Sequence, residues 1–379
     1  VHILSAEIQS GRKKGCGSRP APKCVNPPSI LPATMFDSIP GYEGTVAGEG
    51  GLLPPPMPAQ PAPQPTPGPE QPNLNIPSIS ESTAREAFML FASSKCCYSS
   101  APAKDGVITK METLNTCRYR LETFTESRST EWCQESYSGQ TVDAIARPPP
   151  GPWDILANPP NLFVKGKQCI KVPNTSSLKN CDSCVGMGKK PCKHCAGAGN
   201  KLCGLCNGVG LLYEFGRCYQ CNGRGRENCK HCKGQGSRMC ETCHGKKKLL
   251  VYITLTVKWT NNTDTYVSAA HLQYSGLQLE NLNKVSGKEL FRDSQMKVNP
   301  VMGFPDPRVI QESQRLVSDH QGKYFQTSRV LQQRQTIELI PVTKVTYTWK
   351  EKSHIYFVYG NEFQVSADNY PATCCCSVM

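Results

Sequence analysis

The clearest alternation of apolar and polar residues in this chain lies between residues 249 and 259. The apolar positions are Leu249, Val251, Ile253, Leu255, Val257 and Trp259, and the positions between them include Tyr252, Thr254, Thr256 and Lys258. Because successive side chains of a strand point to opposite faces of a sheet, this pattern predicts a β-strand with one buried face.

Other segments predict further strands. Residues 114–125 alternate in part, and residues 131–142 are expected to form a second strand that pairs with them. Residues 162–172 predict another strand. Near the C-terminus the pattern predicts an antiparallel meander, with a Gly360-Asn361 turn before its last strand. The four strands of this meander span residues 336–340, 343–350, 354–359 and 362–365.

Two segments predict amphipathic helices. Ser80 is a suitable N-cap for the first helix. The apolar residues of that helix are Ala84, Ala87, Phe88, Leu90 and Phe91. Asp306 and Pro307 predict the start of the second helix. Its apolar face carries Val309, Ile310, Leu316 and Val317. Strands and helices together indicate an α+β fold with a β-rich body.

Residues 1–78 are expected to form a disordered, proline-rich tail. Residues 53–77 consist mainly of proline, glutamine and alanine, which is typical of an extended polyproline II linker. The whole chain contains 31 prolines and 31 glycines and has a mean hydropathy of -0.43. No apolar run is long enough to predict a membrane-spanning helix.

The cysteine-rich region, residues 179–248, carries the strongest motif of the sequence. It contains six Cys-x-x-Cys units, and the first five continue as x-Gly-x-Gly. The sixth keeps Gly245 but has Lys247 in place of the second glycine. The units are Cys181/Cys184, Cys192/Cys195, Cys203/Cys206, Cys218/Cys221, Cys229/Cys232 and Cys240/Cys243.

The spacing within each unit suits zinc. Two residues between cysteines let both thiolates of a tight turn bind one metal ion, and a second such turn completes a closed tetrahedral site. Glycines after the turn allow positive φ angles that direct backbone N–H groups toward the sulfurs. A disulfide scaffold and thioredoxin-like redox pairs are the alternatives. Six units in register with glycines favour zinc.

The intervals between units predict how they pair. From first cysteine to first cysteine they are 11, 11, 15, 11 and 11 residues, a series that reads the same in both directions. A nested hairpin would give such a series and would form three four-cysteine zinc sites. The sites would be Cys203/Cys206/Cys218/Cys221, Cys192/Cys195/Cys229/Cys232 and Cys181/Cys184/Cys240/Cys243. Pairing of consecutive units is the alternative.

The repeated C-x-x-C-x-G-x-G motif resembles the cysteine-rich domain of DnaJ-type co-chaperones, which has four units and two zinc ions. The chain around it resembles the vertebrate SSU-two homologue family, a DnaJ-related group, through residues 360–363 (Gly-Asn-Glu-Phe) and 374–379 (Cys-Cys-Cys-Ser-Val-Met). That resemblance implies a developmental role, associated with tooth formation. None of the seven histidines precedes a proline, so the His-Pro-Asp loop by which DnaJ proteins stimulate their ATPase partner is missing.

Nested pairing has a consequence for the architecture. If Cys181 lies beside Cys243, the strands on both sides of the cysteine-rich region must also be close together. The region is then an arm inserted into a β-rich body, as the zinc arm is in DnaJ-type proteins. The expected domains are a tail (1–78), the two halves of the body (79–178 and 249–373), the arm (179–248) and a cysteine-bearing tail (374–379).

The charge of the chain favours a solvated basic face over a phosphate-binding groove for nucleic acid. The chain has a formal net charge of +13. The cysteine-rich region has fourteen Lys and Arg against four Asp and Glu, and twelve thiolates with three zinc ions would lower its net charge from +10 to +4. The same correction leaves the chain at about +7, a mild basicity. Polypeptide clients are the favoured partners, and a nucleic-acid-binding regulator that uses the basic arm is the alternative.

Catalytic motifs are not evident. His194, His231 and His244 lie in or beside the Cys-x-x-Cys units, but four thiolates already close each site, so we expect outward-facing polar residues. The vicinal pair Cys96-Cys97 fits packing as well as redox chemistry. The sequence therefore indicates a zinc-dependent binding protein and not an enzyme, with thiol–disulfide exchange as a third hypothesis. Metal-type cysteine usage and a start too polar for a signal peptide predict a cytoplasmic location, with the nucleus as a second expected location.

The last four residues generate a prediction about lipidation. Cys376-Ser377-Val378-Met379 fits the C-a-a-X pattern for farnesylation, and Cys374 and Cys375 would be neighbouring palmitoylation sites that supply the second membrane signal. An unmodified tail is the alternative. We expect intact-mass spectrometry of the protein from its own host cells to show loss of three residues and a farnesyl group on Cys376. An unmodified terminal Met379 would contradict this.

Overall fold

The computed structural model describes residues 23–24, 42, 50–55, 78–143, 147–213, 216–268 and 277–373. These residues form four α-helices and eighteen β-strands, so the chain is rich in β-structure. The helices are α1 (Glu81–Ser93), α2 (Ala101–Asp105), α3 (Leu279–Leu282) and α4 (Pro307–Tyr324). The strands are β1 (Lys23–Cys24), β2 (Gly50–Leu52), β3 (Val107–Thr113), β4 (Thr116–Ser136), β5 (Gly166–Lys171), β6 (Ser177–Asn180), β7 (Lys189–Pro191), β8 (Asn200–Leu202), β9 (Leu211–Leu212), β10 (Gly216–Arg217), β11 (Arg226–Asn228), β12 (Ser237–Met239), β13 (Lys248–Val267), β14 (Lys288–Gln295), β15 (Arg329–Ile340), β16 (Val342–Trp349), β17 (Lys352–Tyr359) and β18 (Gln364–Ser366). Most of the predicted tail and all of residues 374–379 lie outside the described residues.

The described residues form two compact units. The first comprises those within residues 1–51, 129–155 and 169–256, and the second those within 52–128, 156–168 and 257–379. The long strands β4 and β13 contribute residues to both units. The cysteine-rich region belongs to the first unit, where β6 pairs antiparallel with the start of β13 at its base.

A sheet with paired buried charges organises the second unit. Strand β15 pairs antiparallel with β4 on one side and with β14 on the other. This register sets Arg118 opposite Glu338 and Arg334 opposite Glu122, and both pairs form ion pairs. Arg118 is only 2% exposed. Burial of this charge costs less free energy because the Arg118 guanidinium forms an ion pair with Glu338. The same guanidinium also donates a hydrogen bond to the Leu282 carbonyl at 2.7 Å.

Helix α4 begins at Asp306-Pro307, as the sequence predicts, and its apolar side covers one face of this sheet. Its N-cap, Asp306, accepts a hydrogen bond from the Arg308 backbone N–H at 2.9 Å. The apolar side of the helix packs into one buried cluster with the sheet. The helix contributes Val309, Leu316 and Val317 to it, and the sheet contributes Tyr119, Leu121, Ile337 and Leu339.

Helix α1 packs on a second sheet of strand order β18-β17-β16-β3. Ser80 caps the helix by accepting from the Thr83 N–H at 3.1 Å, and the Phe88 ring stacks on Tyr356 with centroids 4.0 Å apart. The prediction for Leu90 is wrong, since it is 65% exposed. Two residues beyond Phe88, Leu90 is turned about 200° around the helix and points to solvent.

Strand positions are predicted better than strand partners. Residues 131–142 do not form a separate strand that pairs with 114–125, because β4 runs unbroken from Thr116 to Ser136. The Thr-Glu-Ser-Arg-Ser-Thr segment in its middle has no glycine or proline to end the strand. Strand β15 does not start the C-terminal meander either, since it pairs with β4 and β14 while β16, β17 and β18 form the meander.

The predicted half-buried strand is buried on both faces along its first half. Tyr252 and Thr254, expected on the polar face of β13, are 5% and 8% exposed. Cys133 and Leu250 pack with Tyr252 in one cluster, so this face of the strand is covered as well. Among the described helices, none combines the length and apolar character that crossing a membrane requires.

The contrast between Phe88 and Leu90 generates a test of the second unit. We expect Phe88→Ala to lower the free energy of unfolding by about 3–5 kcal/mol, because it removes the ring stacked between α1 and its sheet. The control Leu90→Ala removes an exposed side chain of the same helix and should change it by less than about 0.5 kcal/mol. Urea denaturation measures the free energy of unfolding of both variants. Equal losses in the two would show that α1 does not pack on its sheet through the Phe88 face.

Candidate metal centres

The structure brings the twelve predicted cysteines together in three buried groups of four. These are Cys181/Cys184/Cys240/Cys243 (the outer group), Cys192/Cys195/Cys229/Cys232 (the middle group) and Cys203/Cys206/Cys218/Cys221 (the inner group). The sulfurs of each group lie within 4.8 Å of one another. This is the nested grouping that the palindromic intervals predict. The alternative pairing of consecutive units is not present.

The sulfur spacing fits a tetrahedral zinc ion. Facing sulfurs are 3.8 Å apart for Cys181 and Cys240, and 3.7 Å apart for Cys206 and Cys221. Four thiolates at about 2.3 Å from one central zinc lie about 3.8 Å from each other. A disulfide would need a separation of about 2.05 Å. The groups therefore fit closed four-thiolate metal sites and not a disulfide scaffold.

Each Cys-x-x-Cys unit turns through a residue in the left-handed conformation. The residue after the second cysteine has a positive φ in all six units, from 45° at His244 to 53° at Asn222. After this turn, the backbone N–H of the second glycine points back at the second sulfur. Gly188 donates to Cys184 Sγ at 3.2 Å, and Gly210 donates to Cys206 Sγ at 3.2 Å. Such N–H groups stabilise a thiolate.

The second glycines also let the two sides of the hairpin approach. The Cys203 N–H donates to the Gly225 carbonyl at 3.0 Å, and the Cys218 N–H donates to the Gly210 carbonyl at 2.9 Å. A Cβ added at Gly225 would lie 2.2 Å from the Gly208 carbonyl oxygen, so no side chain fits. Lys247 stands in place of the second glycine of the sixth unit, and it keeps the backbone hydrogen bond across the hairpin. Its carbonyl accepts from the Cys181 N–H at 2.8 Å.

Short antiparallel strand pairs separate the three groups. The chain passes from the β6–β13 pair through the outer group, the β7–β12 pair, the middle group, the β8–β11 pair, the inner group and the β9–β10 pair. Apart from Leu249 beside the outer group, the buried clusters along this path consist of the cysteines themselves. Among the described residues of this path, the cysteine groups therefore take the place of an apolar core.

Metal-free thiols in these groups have divergent pKa values. Burial, with hydrogen bonds from the neighbouring thiols, raises the pKa of Cys181 to about 12. Burial also acts to raise the pKa of Cys240, but backbone N–H groups of Cys243 and Thr242 and the facing thiols outweigh it and lower the pKa to about 6. The outer group can thus hold a first thiolate at Cys240 at neutral pH. Metal binding must displace the remaining protons, so affinity falls as pH falls.

The histidines do not complete the metal sites. His194, His231 and His244 are exposed, as predicted, and the groups around them already contain four sulfurs. The His194 and His231 rings stack with centroids 3.5 Å apart, a contact that the motif spacing does not predict for these residues. Desolvation in this stack, with the nearby charges of His231, Lys201 and Arg238, lowers the pKa of His194.

A similar contact joins Ser183 and Thr242 of the outer group, whose hydroxyls are 3.0 Å apart. Both pairs occupy the second position between the cysteines of facing units. The hairpin therefore has an approximate twofold relation between its sides, and the palindromic intervals are the signal that could have predicted these contacts.

The second unit also contains a chain of Asp264, His320 and Thr123 side chains that no sequence motif predicts. His320 Nε2 lies 2.8 Å from Asp264 Oδ2, and His320 Nδ1 lies 2.7 Å from Thr123 Oγ1. Thr123 is fully buried and also accepts a hydrogen bond from Gln333 Nε2 at 2.9 Å. A buried hydroxyl cannot reach a substrate, so this network holds α4 on its sheet.

The Cys96 and Cys97 sulfurs are 3.5 Å apart, and the predicted lipidation sites Cys374, Cys375 and Cys376 lie outside the described residues.

Comparison with known proteins identifies the family. No protein-family model matches the chain, and no solved structure matches it. The chain is 65% identical over 352 residues to the protein SSUH2 homolog of Danio rerio. The aligned region covers 93% of this chain and 97% of that protein. It is 44% identical over 353 residues to the Homo sapiens protein SSUH2 homolog, covering 92% and 93% of the two chains. The Mus musculus protein SSUH2 homolog is 40% identical over 317 residues, 81% of this chain and 91% of that protein. With relatives this similar over most of its length, the chain belongs to the SSUH2 homologue family, as its sequence resemblance indicates.

Proposed function

We propose that the cysteine-rich region is a DnaJ-like arm that holds three zinc ions, and that the protein uses it to bind polypeptides without catalysing a reaction. The observation that carries the proposal is the set of three buried four-sulfur groups, each with the spacing of a tetrahedral zinc site. Four thiolates leave no coordination position for water. Zinc in such sites would stabilise the fold and would not activate a nucleophile.

Exposed apolar side chains support polypeptide binding. Val185, Met187, Val209 and Met239 are all more than half exposed in the cysteine-rich region. A region without an apolar core has no structural need for them, and exposed apolar surface is typical of interaction sites. The resemblance to DnaJ-type arms points to the same kind of partner. A role in development, including tooth formation, and a cytoplasmic or nuclear location remain part of this hypothesis.

Nucleic-acid binding is the second candidate function. The cations around the middle group favour it, because Lys193, Lys230, Lys233 and Arg238 are exposed on neighbouring turns and strands. Phosphate contacts would give binding that weakens steeply as salt concentration rises. Apolar contacts with a polypeptide would not show such a dependence.

The zinc sites can be counted. We expect elemental analysis of the purified full chain to give three zinc ions, and Cys206→Ser to lose the inner one, because a structural site missing one thiolate binds metal far more weakly. Limited proteolysis should then cut between residues 203 and 221 while the second unit stays intact. The matched control is Cys169→Ser, since Cys169 is exposed and outside the three groups. An unchanged zinc content in Cys206→Ser would contradict the assignment.

Polypeptide binding can be tested with a chemically denatured protein diluted into buffer. We expect the zinc-loaded full chain to suppress its aggregation, and chelator treatment to abolish this effect, since loss of zinc unfolds the arm. A labelled duplex DNA and a single-stranded RNA serve as the comparison probes. Suppression that survives complete zinc removal, or tight salt-sensitive nucleic-acid binding without any effect on aggregation, would refute the proposed function.

A further inference from the structure

Two neighbouring cysteines of the second unit, Cys96 and Cys97, place their sulfurs side by side. Their Sγ atoms are 3.5 Å apart, and Cys96 is exposed while Cys97 is half-buried. Consecutive side chains of an extended strand point to opposite faces, so this approach of the sulfurs requires a turn. The Tyr98 N–H donates to the Lys95 carbonyl at 3.2 Å and closes a four-residue turn with the two cysteines at its centre.

Aromatic stacking and the C-terminal segment hold this turn in place. The Tyr98 ring stacks on Tyr370 with centroids 4.4 Å apart and an interplanar angle of 6°. Tyr98 also forms an antiparallel bridge with Thr373. The next residue, Ser99, donates its N–H to the Ala372 carbonyl at 3.0 Å. Because the residues beside the pair are fixed in this way, a ligand that contacts both sulfurs would bind at a low cost in conformational entropy.

A disulfide is the less suitable product of this pair. The Cα atoms of consecutive residues are about 3.8 Å apart across a trans peptide bond. Cα atoms joined through a disulfide are usually about 4.4–6.8 Å apart, and other separations strain the bond. A metal ion between two sulfurs does not require them to approach each other, so the pair can bind metal without a change in its turn.

The sulfur separation fits chelation of one metal ion. An ion about 2.3 Å from both sulfurs would have a sulfur-metal-sulfur angle of about 100°, near the tetrahedral value of about 109°. Thiolates are soft ligands that favour ions such as zinc and Cu(I) over magnesium and calcium. Among the described residues, groups of three or more possible ligands occur only in the cysteine-rich region, so this pair would leave coordination positions of the ion open.

We propose that Cys96 and Cys97 form a two-thiolate site that binds one exchangeable thiophilic metal ion, such as zinc, at the surface of the second unit. Each thiol releases its proton to solvent as its metal–sulfur bond forms. Water, or a thiol of another molecule, fills the remaining positions of the ion. The site lies outside the cysteine-rich region and goes beyond the proposed function, because neither the three arm sites nor polypeptide binding depends on it.

Cobalt(II) added to the zinc-loaded full chain tests this site under anaerobic conditions. Dialysis first removes weakly held ions, and the zinc content before and after the addition verifies that the three four-cysteine groups keep their zinc. Cobalt(II) reports sulfur ligands, because cobalt–thiolate bonds give a charge-transfer absorption in the near ultraviolet. We expect about one cobalt ion per chain to bind with this absorption, and added zinc to displace it. Binding without the absorption, or no binding, would overturn the proposal.

Cysteine variants assign the absorption to the pair. Cys96→Ser/Cys97→Ser, the pair variant, should abolish it. Each single variant should weaken cobalt binding at least about tenfold, because one thiolate alone does not chelate an ion. The matched control, Cys169→Ser, removes an exposed cysteine outside the four-cysteine groups and should bind cobalt as the parent does. Unchanged binding in the pair variant, or in either single variant, would overturn chelation by these two thiolates.

Three further cysteines follow the Tyr98–Thr373 bridge in the chain. Residues 374–376 come directly after Thr373 and lie outside the described residues. Cys374→Ser/Cys375→Ser/Cys376→Ser, the tail variant, therefore tests whether the absorption arises from them instead. Binding lost in the tail variant but kept in the pair variant would overturn the proposal. Binding lost in the pair variant supports it, and a parallel loss in the tail variant would add tail cysteines as further ligands of the same ion.

Discussion

Convergence of four cysteine sulfurs, three times along one hairpin, is the interaction on which the cysteine-rich region depends. Its buried clusters consist of cysteines, with Leu249 as the one aliphatic residue buried against them in the described structure. Short strand pairs of two to four residues cannot hold such a hairpin together in water. Metal–thiolate bonds can, since a structural zinc site contributes on the order of 10 kcal/mol or more to folding. In the proposed zinc-loaded protein, metal loading and folding of this region would be one event.

The backbone makes these groups compact. Left-handed turns after each second cysteine and N–H groups aimed at the sulfurs are contacts within a single Cys-x-x-Cys unit. Glycines such as Gly225 then let the facing turn approach to hydrogen-bonding distance. Lys247, which stands in place of a second glycine, adopts a positive φ of 71° and still accepts a hydrogen bond from the Cys181 N–H through its carbonyl.

The second unit is stabilised by different means. Its sheets carry ordinary apolar clusters under α1 and α4, and its charged residues are paired across strands, as Arg118 is with Glu338. No metal group is found among its described residues. A chain with one metal-dependent and one metal-independent unit can lose the first at low zinc concentration while it keeps the second. This division is the physical basis of the proposed zinc-dependent binding of polypeptides, in which the second unit keeps its fold when zinc is lost.

The sequence alone determined the features that short covalent distances control. Two residues between cysteines specified the ligands, and the 11, 11, 15, 11, 11 intervals favoured the nested grouping, which the tertiary structure then distinguished from pairing of consecutive units. Helix starts at Ser80 and Asp306 followed from capping chemistry in the same way. Only the tertiary structure decided which strands are neighbours, that β4 continues to Ser136, and that the second face of β13 is covered by Cys133 and Leu250. Those features depend on segments more than a hundred residues apart, whose meeting no local pattern of apolar and polar residues encodes.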